Sequence, residues 1–136
     1  MSVDFRTLSD SLGADELAVY FRQFLEEYGK KPKTLDALKQ LYELAYRQWD
    51  TYEELDQEIA VRLEEYLMAA INFKSYDITD LLISIVENLT LKKVFQYIID
   101  AKSSVSSPAI RKLITEAEEE YADTIDNPYD DLDEWI

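Results

Sequence analysis

The chain contains no cysteine and no histidine. Without cysteine it has no disulfide, no thiolate nucleophile and no Cys-ligated zinc or iron–sulfur site. Without histidine it has neither an imidazole base for a Ser–His or Cys–His pair nor a His-ligated zinc. These two absences exclude most hydrolytic mechanisms. A carboxylate pair or an all-oxygen magnesium site is the chemistry that stays open.

Glycine and proline are scarce, with 2 and 3 copies among 136 residues. An all-β fold needs such turn residues at each corner, so their scarcity favours helices. The most apolar stretch is interrupted by Asp80, Glu87, Lys92 and Lys93 and is too short for a membrane span. The first 13 residues lack the basic start and apolar middle of a signal peptide. We therefore expect a cytoplasmic protein of one domain that does not enter a membrane.

Negative charge is concentrated at the C-terminus. Residues 116–136 contain ten acidic and no basic residues, which is two thirds of the net charge of −15. A protein that mimics DNA would spread carboxylates over its whole surface, so this asymmetry favours an acidic terminal arm. The basic residues Lys92, Lys93, Arg111 and Lys112 are too few to bind nucleic acid against this net charge.

The first half of the chain shows helical periodicity with recognisable ends. Apolar residues recur at three- and four-residue spacing from Ala14 to Tyr28, and Gly29 is predicted to end this helix. Thr34 is predicted to cap a second helix that runs to about Trp49. Either Asp50 or Thr51 is then predicted to cap a third helix.

The second half continues the helical pattern. The third helix is predicted to end near Phe73, and the apolar phase slips around Thr90, which indicates either a kink or two helices with Thr90 as a cap. Ser107 and Pro108 form an N-cap and first-turn pair for the last helix, which Pro128 stops. This helix has its basic residues first and its acidic residues last, against the preference of the helix dipole.

The fold class is therefore all-α. We expect a compact bundle of five or six helices over residues 1–126, followed by an acidic, aromatic-tipped tail over residues 127–136. Short connections predict that consecutive helices are antiparallel neighbours. The residues predicted to be almost fully buried are Leu41, Leu63, Leu82, Ile85, Ile98 and Leu113.

The aromatic residues divide into two groups by their helical position. One group lies on the apolar stripes and is predicted to pack in the core: Tyr20, Phe21, Phe24, Tyr28, Tyr42, Trp49, Tyr66, Phe95 and Tyr121. The other group falls off the stripes and is predicted to lie at the surface, where tyrosine is favoured in interfaces: Tyr46, Tyr52, Tyr76, Tyr97, Tyr129 and Trp135.

No metal, cofactor or catalytic residue is predicted. The stretch DNPYDDLDE offers oxygen ligands for calcium, but it lacks the glycine of the twelve-residue loop and carries Pro128 inside. Neighbouring glutamates such as Glu53 and Glu54 point apart on a helix and are typical of a solvated face.

The terminal segment is open to three interpretations. It is a solubilising disordered tail, or it folds back and docks Leu132, Trp135 and Ile136 on the body, or it is a short linear motif for a partner. In composition it resembles the acidic, aromatic-tipped tails of bacterial single-stranded-DNA-binding proteins, a likeness confined to this short segment.

The leading hypothesis is a non-enzymatic acidic protein that neutralises or adapts a basic protein partner, by analogy with immunity proteins and inhibitors of nucleic-acid-handling enzymes. The alternative is a structural subunit that forms homo-oligomers through surface tyrosines, and a carboxylate enzyme is a third hypothesis. The candidate partner-binding residues lie on the last helix and the tail: Glu116, Glu119, Glu120, Asp123, Asp126, Tyr129, Asp130, Asp131, Leu132, Asp133, Glu134 and Trp135.

Overall fold

The structure, a computed structural model, describes residues 5, 8, 9 and 11–126, with side chains to residue 120. This part of the chain is helical and contains no strand, which confirms the all-α prediction. A short 3-10 helix, Lys102–Ser104, joins the last two α-helices. The α-helices are α1 Ala14–Tyr28, α2 Leu35–Asp50, α3 Gln57–Ala70, α4 Tyr76–Leu89, α5 Lys92–Ala101 and α6 Pro108–Asp126.

Hydroxyl side chains cap the starts of α2, α4 and α6. The hydroxyl oxygen of Thr34 accepts a hydrogen bond from the backbone N–H of Ala37 at 3.1 Å, and α2 begins there as predicted. Ser107 likewise accepts from the N–H of Ile110 at 3.3 Å, which confirms the predicted start of α6. Ser75 provides the same contact for α4.

The start predicted for α3 is wrong. Thr51 ends α2 instead, because its hydroxyl donates to the carbonyl of Gln48 at 2.7 Å and its N–H bonds the same turn. The cap of α3 is Asp56, whose carboxylate accepts from the N–H of Ile59 at 3.1 Å. The helix also ends at Ala70 rather than near Phe73.

The phase slip at Thr90 is a break between two helices and not a kink. Thr90 has a left-handed backbone with φ of 51°, and its N–H bonds back to α4, so it ends α4 rather than starting α5. The first turn of α5 is capped from a distance. The carboxylate of Glu64 on α3 accepts the N–H of Lys93 at 3.2 Å.

The bundle is built around the contact between α2 and α4, its most extensive helix pair. α1 packs on α2 and α3, while α5 and α6 pack on each other and on α4. The expectation that consecutive helices are neighbours fails at α3, which packs mainly on α1 and α5. Leu41 on α2 and Leu63 on α3 are fully buried, as predicted.

The predicted core is confirmed except on α6. Leu82, Ile85 and Ile98 are buried as expected. Leu113 is only half-buried, because α6 turns a slightly different face inward. The residues of α6 that reach the core are Ile110, Ile114 and Ala117.

A buried arginine ties the N-terminal segment to α2. The side chain of Arg47 is 2% exposed. Its guanidinium donates to the backbone carbonyls of Leu8 at 2.8 Å and Ser9 at 3.0 Å. It also contacts Glu43, through both the backbone carbonyl and the carboxylate, and it stacks on the ring of Tyr46. These contacts satisfy a charge that would be costly to bury unpaired.

Replacing Leu82 by alanine should lower the free energy of unfolding by about 2 to 5 kcal/mol, because a fully buried leucine leaves a cavity. Leu113→Ala is the matched control and should lose only about 1 kcal/mol, since Leu113 is half-buried. Urea unfolding followed by circular dichroism measures both. A loss below about 1 kcal/mol for Leu82→Ala would contradict the assigned core.

Arg47→Lys should lower the free energy of unfolding by about 2 kcal/mol or more, because an ammonium cannot reach the carbonyls of Leu8 and Ser9 together with Glu43. The control is Arg22→Lys, an exposed position on α1 where the change should be close to zero. Equal urea midpoints for the two variants would show that the buried network does not depend on the planar guanidinium.

Candidate partner-binding surface

The outer side of α6 carries a row of carboxylates. Glu116, Glu119 and Glu120 are exposed, and they lie opposite the stripe that faces the core. At about 100° per residue these positions fall within one third of the helix circumference. No ion pair to them is found among the described side chains. Three of the predicted site residues therefore share one solvated face.

For the other predicted site residues the structure describes the backbone at most. Asp123 and Asp126 continue the same helical spacing on the α6 backbone, which ends at Asp126. Beyond it, the predicted contact residues lie outside the described part of the chain and stay predictions: Tyr129, Asp130, Asp131, Leu132, Asp133, Glu134 and Trp135.

Glu118 differs from the other glutamates of α6. Its carboxylate pairs with the ammonium of Lys102 at 2.9 Å, and both side chains are partly exposed. An exposed pair of this kind contributes little stability, but it joins α6 to the 3-10 helix before it. Glu118 is thus a structural contact, separate from the free carboxylate row.

The charge of α6 is unfavourable for the helix itself. The described end of α6 has no basic residue in its last turn, where the helix dipole favours cations. Glu116 and Glu120 are four residues apart, a spacing at which like charges repel on a helix surface. Cations supplied by another molecule would relieve both costs.

Among the side chains that the structure describes, the most exposed aromatic ones lie at the corner between α2 and α3. Trp49 is 56% exposed and Tyr52 is 84% exposed. The surface positions predicted for Tyr52, Tyr76 and Tyr97 are confirmed. The core position predicted for Trp49 is wrong.

The error at Trp49 has a physical cause in α2. The polar residues Gln40 and Arg47, seven positions apart, are both buried, and they rotate the buried face of α2 away from the purely apolar stripe. Tyr42 and Trp49 then lie at the edge of that face, where Tyr42 is half-buried and Trp49 is exposed. Hydrophobic periodicity cannot show this, because it scores a buried polar residue as solvent-facing.

A separate cleft of about 300 Å³ lies between the turn after α1 and the side of α3. It is lined by Lys30, Lys33, Arg62 and Tyr66 among others. The ammonium of Lys33 donates to the carbonyl of Gly29 at 2.9 Å and lies 5.1 Å from the centroid of the Tyr66 ring. Lys33 therefore satisfies a backbone carbonyl at the C-terminal end of α1, and we interpret the cleft as the place where this end packs against α3.

Tyr66 itself is unusual because its buried hydroxyl has no hydrogen-bond partner among the described residues. Burial, with a smaller contribution from Tyr28, raises the pKa of Tyr66 to about 12. An unpaired buried hydroxyl costs about 1 to 3 kcal/mol.

Other kinds of site are not evident in the described part of the chain. Its acidic side chains form no group of three or more that could share a metal ion. None of its helices is long and apolar enough to cross a membrane. No family model, curated protein or solved structure matches the chain.

Tyr66→Phe should leave the protein at least as stable at neutral pH, because it removes the unpaired hydroxyl. It should also change the response to alkali. The folded pKa of Tyr66 is about 12 against 10.0 for a free tyrosine, so its ionisation disfavours the folded state as the pH rises between these values. The stability lost across this range is at most roughly 2 to 3 kcal/mol.

The measurement is urea unfolding of the parent and Tyr66→Phe at intervals from about pH 8 to pH 12, with Tyr97→Phe as an exposed control. The alkaline loss should be smaller in Tyr66→Phe only. A loss of more than about 1 kcal/mol in Tyr66→Phe at neutral pH would mean that the hydroxyl stabilises the fold.

Proposed function

We propose that this chain is a non-enzymatic acidic binding protein that neutralises or adapts a basic protein partner, in the manner of an immunity protein or inhibitor. The observation that supports the proposal is the row of exposed carboxylates on α6, Glu116, Glu119 and Glu120, which no described side chain neutralises. The proposed contact continues through Asp123 and Asp126 into the C-terminal segment. Cytoplasmic location is part of the same proposal.

The charge of α6 suits this role better than a structural one. Its carboxylates repel one another and oppose the helix dipole, so they do not serve the stability of the helix. A basic surface brought against them would remove that repulsion. Clustered charge would also accelerate the encounter between the two proteins, an effect that weakens as salt is added.

The C-terminal segment would supply the contacts that hold the partner after encounter. Tyr129, Leu132 and Trp135 are three of its apolar residues, set among carboxylates. In protein interfaces a few buried aromatic residues account for much of the affinity, whereas charges at the rim act mainly on association rate. We therefore assign steering to the carboxylates and retention to these three residues.

A second candidate function is a homo-oligomerising scaffold. The exposed rings of Tyr52, Tyr76 and Tyr97 favour it, since tyrosine is enriched in interfaces. The two functions differ in their response to salt. A partner held by charge should dissociate in modest salt, whereas self-association through aromatic residues should persist on a sizing column.

The test is capture on the immobilised full chain from a lysate of its source, followed by identification and purification of the captured protein. The binding of this captured protein is then measured to two proteins, the parent chain and a triple variant in which Glu116, Glu119 and Glu120 are replaced by glutamine. The matched control replaces Glu26, Glu65 and Asp80, exposed carboxylates outside α6, by their amides. Both variants lose the same charge.

Neutralising α6 should slow association by about tenfold and flatten its salt dependence, while the control variant should change the rate much less. Stopped-flow mixing or surface plasmon resonance at several salt concentrations measures this. Equal rates for the two variants, or a captured protein with no basic surface, would contradict the proposal. A stable oligomer of the chain alone would favour the scaffold.

Deleting residues 127–136 should leave the helical circular dichroism and the melting temperature nearly unchanged, yet weaken partner binding by about tenfold or more. In the full chain, Trp135→Ala should mainly speed dissociation. Replacing Asp130, Asp131, Asp133 and Glu134 by their amides should mainly slow association. A shortened chain that binds as tightly as the parent would leave the segment a solubilising role only.

A further inference from the structure

Two aromatic rings project from the corner between α2 and α3. Trp49 lies in the last turn of α2, and Tyr52 lies in the turn that follows. Their ring centroids are 6.4 Å apart and their planes are tilted by 43°. We call these residues, with Asp50, Glu53 and Glu54, the aromatic corner. All five side chains are exposed.

The chain places cations over several of its less exposed rings. Lys31 lies over Tyr28 at 5.4 Å, and the guanidinium of Arg47 lies over Tyr46 at 4.7 Å. No cation among the described residues lies over Trp49 or Tyr52. Trp49 and Tyr52 are the two most exposed rings of the described residues, and their faces are open to a cation from another molecule.

The segment that carries the rings has charge of one sign, and the cations in an adjoining cleft are Lys92 and Lys93 of α5, which line it with Glu54. Residues 48–61 include five acidic residues and no basic residue. Asp56 is used as the cap of α3. The carboxylates of Asp50, Glu53 and Glu54 form no ion pair within the described part of the chain.

The corner is held in shape before any partner arrives. The amide of buried Gln48 donates to the carbonyl of Glu53 at 2.9 Å, and the N–H of Tyr52 donates to the carbonyl of Trp49 at 3.2 Å. The hydroxyl of Thr51 accepts from the N–H of Glu53 at 3.1 Å. Tyr52 has a left-handed backbone with φ of 57°. A preformed turn lowers the entropy lost on binding.

From these observations we infer that the aromatic corner is a second contact surface for the basic partner and that it takes an arginine-rich segment. A planar guanidinium can both stack on an aromatic ring and pair with a carboxylate. The corner offers both kinds of group, the exposed rings of Trp49 and Tyr52 and the exposed carboxylates of Asp50 and Glu53. The ammonium of lysine has no planar face and cannot stack on a ring in this way. The inference rests on the proposed function and adds to it the chemistry of the partner.

The experiment uses two fluorescein-labelled peptides of equal charge, octa-arginine and octa-lysine, titrated with the full chain at physiological salt. Fluorescence anisotropy gives the affinities. Octa-arginine should bind at least about threefold more tightly than octa-lysine, and Trp49→Ala should weaken octa-arginine about fivefold or more while changing octa-lysine less than about twofold. The indole N–H resonance lost in Trp49→Ala should shift in the parent when octa-arginine is added.

The controls separate this surface from the rest of the chain. Tyr97→Ala removes an exposed ring on α5 and should change either affinity less than about twofold. Tyr52→Asn keeps a residue that tolerates the left-handed backbone and should weaken octa-arginine selectively. Melting curves check that each variant is folded.

Three results would overturn the inference. Equal affinity of octa-arginine for Trp49→Ala and for the parent would show that the aromatic corner does not bind the peptide. The proposal for α6 would be unaffected, because it is tested separately. Equal affinity for the two peptides would remove the preference for arginine. A parent chain that sediments as an oligomer, and becomes monomeric in Trp49→Ala, would show that the corner binds a second copy of the chain.

Discussion

The buried polar side of α2 is the constraint on which the rest of the bundle depends. Gln40, Arg47 and Gln48 are as buried as the apolar residues beside them, so α2 can satisfy its core contacts in only one rotation about its axis. Gln40 accepts the N–H of Phe5 at 2.9 Å, and Arg47 binds the carbonyls just beyond. Because α2 packs on both α1 and α4, its rotation sets their positions as well.

The same constraint shapes the surface. When α2 turns its polar residues inward, it leaves Trp49 at the solvent edge, where the following turn adds Tyr52. At the other end of the chain, α6 buries a narrow apolar stripe and leaves its carboxylates free. The two surfaces arise from different causes, a displaced helix face and an excess of one charge. Both are suited to cations.

Much of the fold could be predicted from local sequence. Helical periodicity located the helices, and short-range caps such as Thr34 and Ser107 marked their starts, because these contacts span only a few residues. The row of exposed carboxylates on α6 could also be predicted, because it follows from the spacing of residues along a single helix. The exposure of Trp49 could not, since it depends on Arg47 reaching carbonyls 38 and 39 residues away. The burial of Ile114 in place of Leu113 likewise depends on how α6 packs against α4 and α5.

The long reach of Arg47 also orders events during synthesis. Leu8 and Ser9 leave the ribosome first, but the guanidinium that holds them is added 38 residues after Ser9. At typical elongation rates this delay is about two to eight seconds. Phe5, which is fully buried in the finished protein, waits through a similar interval for Gln40. Phe5 is therefore among the apolar residues that a chaperone would meet uncovered during synthesis.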